Sequence, residues 1–148
     1  MLGVLWLRRG AAAAAAAAGG RSARAAAQRR AYSAKAAVEA TEATFEREVL
    51  ESPVPTVVDF YADWCGPCRM LAPILERAVA SDGRVRLAKV NVDHSPALAA
   101  DYGVSSLPTV VGFRSGKPVA AFVGMRPPQA VGEFVAEVAG DKPGPPGS

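Results

Sequence analysis

The sequence predicts an α/β domain, a central mixed β-sheet with helices on both of its faces. Three observations predict it. Short β-branched and aromatic runs alternate with stretches of helical periodicity. One of those runs, PTVVDFYA at 55–62, is almost continuously apolar, as suits a strand covered on both faces. The last two strand-like runs are joined by Ser115-Gly116-Lys117, a hairpin signal that closes the sheet antiparallel.

The elements follow in the order αβαβαββα. Residues 41–52 carry acidic residues early and space Phe45, Val49 and Leu50 for one buried helical face, and Pro53 and Pro55 end it. Residues 55–62 are the first strand. Residues 67–80 return to helical spacing through Leu71, Ile74, Leu75, Ala78 and Val79, with a kink expected at Pro73. A turn at 81–83 leads into a strand over 84–92, and residues 96–102 form a short helix. Residues 107–124 hold the two hairpin strands. Residues 127–138 make a last amphipathic helix striped by Val131, Phe134, Val135 and Val138. Strands separated by helices pair parallel, and the hairpin adds the antiparallel strands.

Charge divides the chain. Its net +3 comes from the first 38 residues, which hold seven Lys/Arg and no acid. The rest has ten basic residues against all fourteen acidic ones, a net of −4. No basic cluster is left in the folding part, so nucleic-acid binding loses its support. No run of strongly apolar residues is long enough for a membrane span. The leader is Arg-rich, acid-free and alanine-rich, and MLGVLWLRRG opens it with an amphipathic helical pattern, the composition of an organellar transit peptide. RRAYS at 29–33 resembles a mitochondrial processing site, with cleavage before Ser33. Plastid import, secretion and an unaddressed low-complexity terminus are the alternatives. The expected organisation is a cleaved mitochondrial transit peptide over 1–32, a flexible segment over 33–40, the domain over 41–140 and a flexible Pro/Gly-rich tail over 141–148; the expected location is the mitochondrial matrix.

The only two cysteines, Cys65 and Cys68, are separated by Gly66 and Pro67 alone. With His94 they offer at most three ligands, short of a tetrahedral zinc site. A disulfide across two residues closes too short a loop to stabilise much. A redox pair remains, and Cys-x-x-Cys beside a βαβ pattern is a redox signature. Cys65 ends the loop after a strand and Cys68 lies in the first turn of the next helix. The orphan N–H groups and dipole there stabilise a thiolate, so Cys65 is expected to be the exposed nucleophile and Cys68 the more buried resolving thiol. Pro67 has no N–H to lose at the helix start, and Gly66 leaves room for an incoming disulfide.

Asp59 is out of place in a doubly covered strand. Burial raises the pKa of such a carboxyl toward neutrality, where it can pass a proton to and from the thiol. The alternative is a solvent-facing edge carboxylate. Lys89 occupies a strand too, and reads either as a solvated tip or as a neighbour of Asp59 across the sheet.

At these residues the sequence resembles the thioredoxin family. VDFYADWCGPCRMLAPILE matches its active-site stretch, and AKVNVD at 88–93, YGVSSLPT at 102–109 and FVG at 122–124 follow in order and spacing. The resemblance implies a thioredoxin fold and a mitochondrial-type member of the family. It implies that Asp59, Cys65, Cys68 and Lys89 are catalytic and that Pro108 forms a cis peptide facing the cysteines, where spacing alone would allow a trans proline opening a strand. It also implies that Leu107 and Gly124, with Trp64 and residues 104–107, dock substrate. No cofactor or metal is implied; electrons would come from NADPH through a flavin-dependent thioredoxin reductase, or from ferredoxin in some organelles. Implied partners are that reductase and clients such as peroxiredoxins and methionine sulfoxide reductases, with no nucleic acid and no membrane. Tyr61 stands where many members have Trp, a change expected to alter fluorescence and not chemistry. Gly-Pro between the cysteines favours a reductase; an oxidant or isomerase and a non-catalytic docking module are the competing readings.

Overall fold

The computed structural model describes residues 18–34 and 37–141. The first half of the expected leader, residues 35 and 36, and the tail beyond Asp141 lie outside the described residues.

Five strands form one sheet: β1 (Val38–Glu39), β2 (Thr56–Tyr61), β3 (Arg86–Asn91), β4 (Thr109–Arg114) and β5 (Lys117–Val123), in the order β1-β3-β2-β4-β5. The first three run parallel, and β4 and β5 are antiparallel to their neighbours. The helices are α1 (Ala18–Ser33), α2 (Gly66–Asp82), α3 (Pro96–Asp101) and α4 (Pro128–Ala139). The mixed sheet expected from the sequence is therefore present, with helices on both faces.

Three expectations need correction. The segment 33–40 is not a featureless lead-in. Val38 and Glu39 pair with Ala88 and Lys89, and the Ala40 N–H donates to the Lys89 carbonyl at 2.8 Å. A two-residue edge strand is too short to carry an alternating pattern, so periodicity cannot reveal it. The helix expected over 41–52 is instead a turn followed by a π-helical segment, Glu46–Leu50, in which the Glu51 N–H reaches back five residues to the Glu46 carbonyl. The wider turn brings Phe45, Val49 and Leu50, at i, i+4 and i+5, to the same side. The tail does not start free: Asp141 accepts from both Arg84 guanidinium nitrogens at 3.0 and 2.9 Å.

Helix α1 belongs to the stretch read as leader, and its last turn touches the domain. The Ser33 hydroxyl donates to the Gly83 carbonyl at 2.8 Å. The buried Arg86 guanidinium donates to the Tyr32 hydroxyl at 2.6 Å and lies 4.4 Å above that ring's centre, while pairing with Glu48 at 2.8 Å.

Two apolar layers sandwich the sheet. On one face Val57, Val110 and Phe122 meet Leu71, Leu75 and Val79 of α2 and Val131, Phe134, Val135 and Val138 of α4. On the other, Val58, Phe60, Val90, Val111 and Phe113 meet Phe45, Val49 and Leu98, and Phe45, Tyr102 and Phe113 stack edge to face or tilted. Helix α2 runs on through Pro73, whose missing N–H leaves the Arg69 carbonyl without its i+4 donor.

Gly112 in β4 lets α4 approach the sheet. A Cβ there would overlap Cγ2 of Val138. Gly112→Ala is therefore expected to lower stability by about 2 kcal/mol, as overpacking does. Adding Val138→Ala should return part of that loss, read as non-additive midpoints in urea unfolding.

Candidate active site

Strand β2 and the start of α2 build the site. Val57 points into the layer under α2 and α4, so by the two-residue alternation of a strand Asp59 and Tyr61 point the same way. The next turn of chain brings Cys65 to the N-cap of α2 and Cys68 into its first turn. Cys65 has extended backbone (φ −84°, ψ 108°), and its sulfur accepts the Cys68 N–H at 3.2 Å. That is the place of an N-cap acceptor, occupied by sulfur instead of oxygen. Helix-end donors aimed at sulfur favour its anionic form, which is the nucleophile.

Cys65 and Cys68 are joined in a disulfide. The sequence reading made Cys65 exposed and Cys68 buried. In this oxidised form both are buried, 4% and 3% exposed. Leu107 and Ala62 pack on the sulfur pair, and Cys65 lines a groove walled by Trp64, Pro67, Val92, Val104 and Leu107. Trp64 stands 69% exposed beside it, with Nε1 donating to Asp93 Oδ2 at 2.9 Å. Leu107–Pro108 is a cis peptide, and the Pro108 carbonyl accepts the Gly124 N–H at 2.8 Å. Trp64, Gly66, Pro67 and Leu107 thus line one groove with Cys65, and Pro108 follows Leu107 across the cis bond.

Asp59 is buried, 1% exposed, and its Oδ1 has no hydrogen-bond partner among the described residues. Burial pushes its carboxyl up from 3.8 to about 6; Lys89 pulls it down, and Glu39 and Glu76 push it up. The solvent-facing alternative for Asp59 is excluded. Lys89 is the register partner of Asp59 on β3 and is half-buried. Its Nζ lies 5.0 Å above the centre of the Tyr61 ring, so it is neither a plain solvated tip nor solely a partner of Asp59.

Sequence reasoning missed two contacts of this site. Tyr61 Oη donates to Glu39 Oε1 at 2.7 Å, a bond spanning 22 positions to a residue placed outside the domain. Burial first, then the Glu39 carboxylate, pushes the Tyr61 phenol well above its usual range. The Trp64–Asp93 bond spans 29 positions. The available signal was Tyr61 itself, a hydroxyl where the family commonly has none.

The thioredoxin family model matches residues 36–137, starting before the expected boundary at 41 and taking in β1. The chain belongs to the thioredoxin family. Thioredoxin 1 of Nostoc sp. is 46% identical over 93 residues, 62% of this chain and 87% of that one. A bifunctional thioredoxin reductase/thioredoxin of Mycobacterium leprae is 45% identical over 98 residues, 65% of this chain and 21% of that one. A solved mutant thioredoxin from Halobacterium salinarum superposes with a TM-score of 0.65 at 32% identity, covering 72% of this chain and 94% of that one. With its redox-active pair Cys65–Cys68, this thioredoxin-family chain is a thiol-disulfide oxidoreductase that reduces protein disulfides and is itself re-reduced by a thioredoxin reductase. The two electrons exchanged reside in the sulfurs, so the exchange itself runs without a bound cofactor.

Proposed function

We propose that this protein is the mitochondrial-type member of its family, imported by its leader and acting in the matrix as a general dithiol reductase. The acid-free, Arg-rich first 38 residues support import. Reducing equivalents come from NADPH through a flavin-dependent reductase, and the clients are disulfide-bearing enzymes such as peroxiredoxins and methionine sulfoxide reductases.

In the cycle, Cys65 thiolate attacks a client disulfide; the new sulfur–sulfur bond joins Cys65 to the client, and one client thiolate leaves. Cys68 then loses its proton and attacks Cys65 Sγ. The Cys65–Cys68 bond forms, the second client thiol leaves, and two electrons have passed to the client. Asp59 is the acceptor of the Cys68 proton. The observation that carries this role is a carboxyl sealed from solvent, unpartnered at Oδ1 and raised to about 6, on the face of β2 that α2 covers. Lys89 tunes that carboxyl. Trp64, Leu107 and Gly124 receive the client, with the apolar groove walls excluding water and the Leu107 backbone pairing with it as a strand edge would.

Import of radiolabelled full-length chain into isolated mitochondria tests the location. The expected result is a protease-protected product shortened to a new N-terminus near Ser33. Full-length chain left outside, sensitive to protease, overturns it. The processed product, supplied with NADPH and a mitochondrial thioredoxin reductase, should reduce insulin disulfides.

A further inference from the structure

Three charged side chains stand in one row across the sheet. Glu39 on β1 is the register partner of Lys89 on β3, and Lys89 is the register partner of Asp59 on β2. Register partners share a face. Two residues along β2, on that same face, Tyr61 joins the row: its hydroxyl donates to Glu39 at 2.7 Å and its ring carries the Lys89 ammonium at 5.0 Å. One side chain thus touches both Glu39 and Lys89. Beyond Asp59 the row continues into Val110, which offers no charge.

We propose that Glu39, fixed by the Tyr61 hydroxyl, is a positioning residue that favours the Lys89 ammonium over the Tyr61 ring and away from Asp59, so that the buried Asp59 carboxylate is the stronger base toward Cys68. The inference rests on the proton-acceptor role given to Asp59 above. It reverses the expectation that the Tyr61 hydroxyl leaves the chemistry untouched. An ammonium free to close on Asp59 would stabilise the carboxylate and weaken it as a base for Cys68. Glu39 works in two ways: it competes for Lys89, and its own negative charge opposes ionisation of Asp59. The groups facing Asp59 from the packed elements are Lys89 from β3, Glu39 from β1, and Glu76 from α2, the helix whose first turn holds Cys68.

The experiment is a carboxyl-carbon NMR titration of Asp59 in the full, oxidised chain and in Glu39→Gln, Tyr61→Phe and the double variant. Glu39→Gln keeps an acceptor for the Tyr61 hydroxyl and removes only the charge. Glu39 is exposed and the glutamine nearly isosteric, so the fold is expected to survive. The Asp59 midpoint should fall by about half a pH unit, and the difference should shrink in high salt because Glu39 reaches solvent. Tyr61→Phe added to Glu39→Gln should move the midpoint no further, since the hydroxyl acts only through that carboxylate. A midpoint unchanged by Glu39→Gln overturns the proposal, and a further displacement in the double variant overturns the tether. The pH profile of insulin reduction separates this inference from the reading beneath it. If the Asp59 midpoint moves and the acid limb of the rate stays put, Glu39 positions as proposed and Asp59 is not the proton acceptor in turnover.

Discussion

Cys65→Ser is expected to abolish insulin-disulfide reduction, a loss on the order of a thousandfold or more, the scale of removing a catalytic nucleophile. A serine hydroxyl at the N-cap can still accept the N–H that Cys65 Sγ accepts from Cys68. The fold is therefore expected to hold, and the loss is chemical: an alcohol is almost wholly protonated at neutral pH and forms no bond to sulfur that exchange can break. Cys68→Ser fails differently. Cys65 still attacks, so the first half of the cycle runs, but no thiol remains one turn away to release the client. The variant should accumulate mixed disulfides through Cys65, visible by mass spectrometry after incubation with mitochondrial lysate and removed by added dithiol. Equal trapping by Cys65→Ser would reverse the assignment of attacker and resolver. The burial of both sulfurs in the oxidised form bears on this. Cys65 lines the groove whereas Cys68 does not, so a bulky client is expected to reach only the first.

The parts of this site that could be read in the sequence share a property: each is chemically improbable where it stands. A carboxylate inside VVDFY and two cysteines around Gly-Pro have few structural reasons to exist, and the strand–helix periodicity on either side locates them at one sheet end. The parts that could not be read depend on register between distant segments. Nothing local in Val38–Glu39 announces a strand, because pairing with β3 makes it one. Without that register Glu39 has no row to join, and the Tyr61 hydroxyl has no partner. Lys89 shows the same limit from the other side: its alternation in β3 was legible, but the ring that carries its ammonium lies on a neighbouring strand. The 46–50 segment was legible as a buried helical face and not as a π-helix, because i, i+4, i+5 spacing fits both. Side-chain identity revealed the chemistry here; strand pairing decided which charges meet.

Asp59→Asn is expected to make stability less dependent on pH, and the sign follows from where the protons sit. In the unfolded chain Asp59 ionises near 3.8; in the folded protein burial delays this to about 6. Below pH 4 both states are protonated and the residue is neutral to stability. Between 4 and 6 the unfolded state has lost its proton while the folded state keeps it, so stability falls as pH rises. Above 6 both are ionised and the whole penalty is present, about 3 kcal/mol at 1.36 kcal/mol per pH unit. Asparagine carries no charge at any pH and removes this term. It introduces an amide beside the same unsatisfied oxygen position, at a cost of about 1 to 2 kcal/mol. The variant should thus fall about 1 kcal/mol below the parent at pH 4 and exceed it by about 1 to 2 kcal/mol at pH 7.5, measured as urea midpoints at each pH. Its insulin reduction should be slower at neutral pH, because Cys68 has lost its proton acceptor. A stability difference that stays constant from pH 4 to 8 would show that Asp59 ionises no later in the folded protein than in the open chain, and the proton-transfer role would fall with it.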